Sequence, residues 1–324
     1  HIIVTWNSMN RGSRCFWLAL LVTSLASHSS TLLIVGCAAT VLAAVSPIKR
    51  LHLSYRSLLV IGAAVLAAII LEAAFSLGVK AATGAAPVRP PFATARLVDD
   101  GPGYRYLRSR CPQSGFVLCK YVDRLPQPSD HILWERRPGI GLFSALPPWE
   151  ARALALEQNR FVFAVFLDQP LAVSKSALLA AVRQSKKLGL GEFNYDSGTK
   201  GHFAAKLPPS VLEDVEGSAA FEGDMPVRLV SAATLPITWL SILLIAWTAV
   251  IDRNRQTKTS TVAVIVFVML LFNVAICGML STPHERYLMR VVWLLPLIAY
   301  CVLPPIGGVG MSQRNRARNP TASI

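Results

Sequence analysis

Of the 324 residues, 53% are hydrophobic and only 15% charged, and the mean hydropathy is +0.45. A soluble domain carries about a quarter charged residues, so the composition excludes a pair of ordinary soluble domains and points to a polytopic membrane protein. The net charge of +14 does not mark a nucleic-acid binder, because most of the excess flanks apolar runs: Arg11, Arg14, Lys49, Arg50, Arg56, Arg253, Arg255, Lys258, Arg314, Arg316 and Arg318 stand there against one acid, Asp252, whereas residues 89–228 hold 18 basic and 15 acidic side chains.

The chain opens on His1, with Met9 its first methionine, which leaves room for sequence upstream. Residues 15–26 (CFWLALLVTSLA) are short for a span, which takes roughly 20 residues. They read either as a span completed by its flanks or as the apolar stretch of a signal peptide. Residues 31–45 follow, closed by Pro47 and the pair Lys49–Arg50. Their small residues Gly36, Ala38, Ala39, Ala43 and Ala44 suit close helix packing, so 15–45 is expected to form a helical hairpin that turns at SHSS. Residues 57–79 are a full span containing one acid, Glu72, read as a functional group in the membrane or as a paired one.

A polar insert occupies roughly 80–229. PVRPPF (87–92) is a stiff, extended linker, since paired prolines disfavour helix. A helix over 93–110 is expected to break at Gly101-Pro102-Gly103. Cys111 and Cys119 follow, then a turn-rich stretch to Pro148, which fits the first turn of a helix over 149–167. The apolar end of that helix, FVFAVFL, suggests a surface on the membrane or against the bundle. A second helix over 170–187 carries Leu171, Leu178, Leu179 and Val182 with Lys175, Arg183, Lys186 and Lys187, a pattern that suits an interfacial helix. Glycines 189 and 191 read as a turn. Apolar runs at 230–251, 261–280 and 288–306 complete the spans, and the tail to Ile324 is basic.

About six spans therefore make an all-α transmembrane bundle with a mostly helical extracytoplasmic insert. The bias of basic residues places the loops 46–56 and 252–260 and both termini in the cytoplasm. The SHSS turn, the insert and the loop STPHERY (281–287) lie on the opposite side. Cys111 and Cys119 are the only cysteines outside apolar runs, and that compartment permits a disulfide between them. With no CxxC pair or nearby His, a metal site is not expected.

No GxSxG, Walker A, HExxH or dinucleotide fingerprint is present. What remains is a set of polar residues that topology brings to one membrane face: His28, Arg89, Arg96, Asp99, Asp100, His284, Glu285, Arg286 and Tyr287. Arginine and histidine suit a phosphate group, and a carboxylate among them could serve as a general base. Singly, each also fits an interface anchor or loop ion pair, with Tyr287 in the aromatic belt. The insert is expected to form a cap over this face rather than an independent domain.

The segments ARLVDDGPGYRYL (95–107), CPQSGFVLCKYVDRLP (111–126) and TPHERYLMRVVWLLPL (282–297) resemble a family of functionally uncharacterised, polytopic inner-membrane proteins of alphaproteobacteria. The layout is also similar to GT-C-type glycosyltransferases, which use polyprenyl-phosphate-linked sugars, and Arg286-Tyr287 before Pro296 echoes them. That resemblance implies Asp99, Asp100 and Glu285 as catalytic acids. Arg96, His284, Arg286, Tyr287 and His28 would contact a lipid-linked sugar phosphate. The chain departs from that pattern in its first outer loop, SHSS, which holds no acid. Two rival functions stand beside the transferase: a scaffold or assembly factor whose insert binds a periplasmic partner, and a transporter using Glu72 and Asn273.

Overall fold

The computed structural model describes residues 2–46, 54–137, 139–195, 197–251 and 258–302. The protein is 80% helical, and no strand occurs among the described residues. The expected all-α class is therefore what the chain adopts. The basic groups Lys49, Arg50, Arg253 and Arg255, with Asp252 and the tail from 303, lie outside the described residues.

Helices are numbered in chain order: α1 Arg11–Ser27, α2 Ser29–Val45 and α3 Tyr55–Thr83 precede the insert. In the insert, α4 is Phe92–Asp99, α5 Pro102–Arg110, α6 Ser129–Trp134, α7 Pro148–Leu156, α8 Gln158–Asp168 and α9 Pro170–Ser185. After it come α10 Val227–Ile251, α11 Lys258–Leu280, α12 Glu285–Val292 and α13 Leu294–Val302.

Among the described residues, three helices are long and apolar enough to cross a membrane: α3, α10 over Val227–Thr248, and α11 over Thr261–Leu280. Their outward faces are apolar and exposed, for example Leu66, Ile70 and Phe75 on α3 and Trp239, Leu243 and Trp247 on α10, as a lipid-facing surface requires. Their inward faces are narrow. Ala64 and Ala68 of α3 lie against Leu25 of α1, and Leu270 of α11 meets Leu288, Val292 and Leu295.

The other three expected spans form shorter helices. α1 and α2 have 17 residues each, about 25 Å at the helical rise and short of a hydrocarbon core of about 30 Å. The last run is divided at Trp293, between α12 and α13. Pro296 explains the division, because it has no N–H to donate to the carbonyl of Val292 four residues earlier. By length and composition the count is thus three, or four if the bent pair α8 and α9 (112° apart) is taken as one span. The bend of that pair is polar and tied to the insert. Asp168 pairs with Arg110 at 2.9 Å, and Gln169 accepts from Arg105 and donates to the carbonyl of Pro102.

The insert has its own hydrophobic core, which the expectation of a mere cap did not foresee. Leu107, Leu118, Ile132, Leu142, Phe161 and Val165 are buried there. The predicted break at Gly101 is present, with φ +102 at that glycine. A Cβ at Gly103 would lie 2.8 Å from the backbone of Leu97, so only glycine allows α5 to approach α4 this closely. Cys111 and Cys119 form the expected disulfide, with Cα atoms 5.4 Å apart.

The single helix expected over 149–167 is instead two, α7 and α8, parted at Glu157. Its carboxylate accepts from the backbone N–H of Val117 (2.7 Å) and Leu118 (3.2 Å) across the core. The FVFAVFL stretch splits by face: Phe161 and Val165 enter the insert core while Phe163, Phe166 and Leu167 stay exposed.

α9 leaves the insert and packs along α11. A Cβ at Gly278 would fall 2.9 Å from the carbonyl of Ala180, so glycine permits this contact. The four apolar residues noted on α9, Leu171, Leu178, Leu179 and Val182, are exposed on its other side.

Candidate functional site

The polar groups gather where α4 and α9 of the insert meet the end of α11 and the 281–284 loop. Arg96 is the centre of this cluster. It is 4% exposed, because α4 carries it inward on the same short helix that seeds the insert core. Its guanidinium donates to the carbonyls of Gly278 and of Ser281 (2.9 Å), and to Asp100 Oδ2 at 2.9 Å from Nε and 2.5 Å from Nη2. The two carbonyls belong to the last turn of a helix and the residue after it, where backbone acceptors lack intrahelical donors. A buried guanidinium satisfies them and finds its counter-charge one turn along its own helix.

Both oxygens of Asp100 are engaged. Oδ1 accepts from Arg183 at 2.9 Å, and Oδ2 accepts from Ser176 at 2.6 Å in addition to Arg96. Asp99 accepts from the backbone N–H of Ser129 at 2.9 Å, at the start of α6, and Ser129 shares a hydrogen bond with Thr282. Arg96, Asp99, Asp100, Ser129, Arg183, Thr282 and Pro283 line a cleft of about 350 Å³.

A second junction lies beside the first. Gln184, fully buried on α9, donates to the carbonyl of His284 and accepts from its N–H, both at 2.9 Å. The His284 ring lies between Glu192 (3.1 Å from Nδ1) and Asp130 (3.6 Å from Nε2). The Asp130 carboxylate beside it raises the imidazole above its usual range against the opposing effect of burial, and the charge of Glu192 adds to the rise. Reciprocally, the nearby His284 ring holds the Asp130 carboxyl below its usual range.

Glu285 and Glu192 cap each other. The Glu285 N–H donates to Glu192 Oε1 at 3.0 Å, and the Glu192 N–H donates to Glu285 Oε2 at 3.2 Å. The glycines at 189 and 191 make this possible: a Cβ on Gly189 would lie 2.6 Å from the Glu285 carboxylate. What reads in sequence as a plain turn is the seat of that side chain.

Arg286 is exposed and Arg290 follows one turn later. Both guanidiniums lie over the Tyr287 ring, at 5.3 and 5.6 Å. The Tyr287 hydroxyl meets Ser281 at 3.2 Å. Arg290 donates to Ser30 (3.4 Å), Asn273 (3.3 Å) and Cys277 (3.6 Å). His28 joins through Ser30, 2.9 Å from its Nδ1. Burial first, and then the charge of Arg290, keep the His28 imidazole below its usual range. Glu72 pairs with Arg89, whose other nitrogen reaches Ser29 at 3.4 Å.

The SHSS turn, the start of the insert and the 281–287 segment therefore do meet at one end of the bundle. They form three linked clusters rather than one cavity. Arg96, Asp99 and Asp100 share the cleft; His284 and Glu285 sit in the Gln184–Glu192 junction; Arg286, Tyr287 and His28 gather around Arg290. Among the described residues no three His, Cys, Asp or Glu side chains come together as a metal would need.

Sequence reasoning missed Gln184, Glu192, Asp130, Arg183 and Arg290. Arg290 stands within the TPHERYLMR segment, and the closely spaced Gly189 and Gly191 signalled a close approach. The others carried no local signal. No family model, curated protein or solved structure matches the chain.

Proposed function

We propose that the protein is a non-catalytic membrane scaffold that holds its helical insert in fixed register on a bundle of the bacterial inner membrane, for a partner on the periplasmic side. One observation carries this reading: each acid considered for catalysis is engaged in joining elements. Asp100 binds Arg96, Arg183 and Ser176; Asp99 holds the start of α6; Glu285 exchanges backbone hydrogen bonds with Glu192. A general base needs a lone pair facing its substrate, and Asp99 Oδ2, both oxygens of Asp100 and Glu285 Oε2 face structural donors instead. The proposed topology has six crossings, with α1, α2 and the broken α12–α13 completing the set, and both termini cytoplasmic. The meeting of Ser29 and Ser30 with Arg89 and Arg290 at one end supports that antiparallel order.

The GT-C-like transferase is the second reading, favoured by the polar cleft that Arg96, Asp99, Asp100 and Arg183 line. The two separate in one experiment. Purified protein is reconstituted with a polyprenyl-phosphate-linked sugar and an acceptor mixture, and sugar release is followed. The scaffold reading expects no release above protein-free vesicles. Release that disappears in Asp100→Asn, with the fold retained, overturns it in favour of the transferase.

A further inference from the structure

Arg290 has only neutral acceptors, and no carboxylate within ion-pair distance among the described residues. Arg286 stands four residues earlier on the same helix, likewise without an ion pair there, and like charges at that spacing repel. Asn273, to which Arg290 donates, lies within the span over Thr261–Leu280 and is buried. Arg290 itself is exposed, so its charge, which has no counter-charge among the described residues, is open to an anion. Among the described residues only Nη2 of its fork is used, which leaves donors for a bidentate anion.

A separate observation concerns α2, the helix whose Ser30 Arg290 reaches. An apolar groove of about 480 Å³ runs between α2, α3 and α11, lined by Leu33, Gly36, Cys37, Val41, Ile69 and Phe272 among others. Ser30, Leu33, Cys37 and Val41 fall on one stripe of α2, at steps of three and four residues. The stripe begins at the hydroxyl that Arg290 holds. From 30 to 41 it descends about 16 Å, close to the depth of one leaflet, half of a hydrocarbon core of about 30 Å. Gly36 opens the groove: a Cβ there would meet nothing within 4 Å. The small residues of α2 thus do not all serve packing; Ala38 is buried, while Gly36 leaves space.

We propose that this is a binding site for one anionic phospholipid, with its phosphate on Arg290 and Ser30 beside His28, and an acyl chain along the α2 stripe. Arg286 extends the positive end of the site. The site does not depend on whether the protein is a scaffold or a transferase.

The test uses the delipidated full chain in detergent, titrated with dioleoylphosphatidylglycerol and read by native mass spectrometry. The comparators are dioleoylglycerol, which has the chains without the phosphate, and inorganic phosphate. Arg290→Gln removes the phosphate ligand. Gly36→Leu puts a side chain into the groove from a position where a Cβ meets nothing within 4 Å, and its thermal unfolding midpoint, compared with the wild type, checks that the fold is kept. Both variants are expected to bind the phospholipid at least tenfold more weakly than the wild type. Dioleoylglycerol is expected to bind at least tenfold more weakly, and inorganic phosphate not to displace the lipid. Wild-type affinity in either variant overturns the site, as does equal binding of dioleoylglycerol or displacement by inorganic phosphate alone. Should Arg290→Gln not fold, Arg290→Lys, which keeps the charge without the fork, takes its place with the same expected loss.

Discussion

The insert and the bundle solve the problem of apolar surface in opposite ways. The insert turns Leu107, Leu118, Leu154 and Phe161 inward to near-zero exposure, so its stability is internal. The bundle buries only thin stripes such as Ala64 and Ala68 and leaves Phe75, Trp239 and Trp247 outside, as a lipid-facing surface requires. The contrast shows where a polar group is expensive. At the seam between the two, Arg96 and Gln184 are buried, so their polar groups must be satisfied by the protein itself.

Substitutions can break that comparison, and the seam and the insert core should respond most. Arg96→Ala leaves Asp100 and two carbonyls without their donor, and should cost about 3–5 kcal/mol, read as a lowered midpoint in thermal unfolding in nanodiscs. Phe161→Ala in the insert core should cost about 3–5 kcal/mol by the same measurement, with a loss of fixed near-ultraviolet signal from the insert aromatics. Replacing Cys111 and Cys119 by serine opens a short loop and should cost about 2 kcal/mol, with reducing agent reproducing the effect in the wild type.

The His284 junction adds a pH dependence. His284 is held above its usual 6.5, so its contribution is complete below that value and is lost as pH rises through the raised one. Asp130 is held below its usual 3.8, so its contribution is present above that value and is lost as pH falls through the lowered one. Stability from this pair should therefore be greatest in the mildly acidic range and decline on the alkaline side. His284→Gln should flatten the alkaline decline in a midpoint-versus-pH series. A decline of the same slope in the variant would assign it elsewhere. The smallest effect belongs to the bundle's outer face: Phe75→Ala should change the midpoint by less than about 0.5 kcal/mol equivalent. A loss there as large as that at Phe161 would mean that α3 is covered by protein rather than lipid.

Much of the fold was legible because its signals are local. Continuous apolar runs marked α3, α10 and α11; Gly101-Pro102-Gly103 marked the α4–α5 break; and two cysteines outside the apolar runs marked the disulfide. The division of the last run was also written locally, in Pro296, yet its effect is felt four residues upstream, and hydropathy alone reads 288–306 as continuous.

The site was less legible, since its partners are far apart in the chain. Arg96 meets Ser281 and Gln184 meets His284 across 185 and 100 residues. An arginine in a polar insert carries no mark that it will be buried. Gln184 sits in an amphipathic pattern that describes α9 equally well without it. Glu285 reads as a free acid until Gly189 and Gly191 are seen to make room for it.

The central claim is that the polar cluster around Arg96 is a joint and not a reaction centre, and Asp100→Asn tests it most directly through the unfolding midpoint in nanodiscs. A joint loses the counter-charge of Arg96 and Arg183, and the midpoint should fall by roughly 6 °C or more. Functional carboxylates commonly cost stability, so their removal is neutral or stabilising. A midpoint unchanged or raised in Asp100→Asn would contradict the joint and return the cleft to the candidates for catalysis.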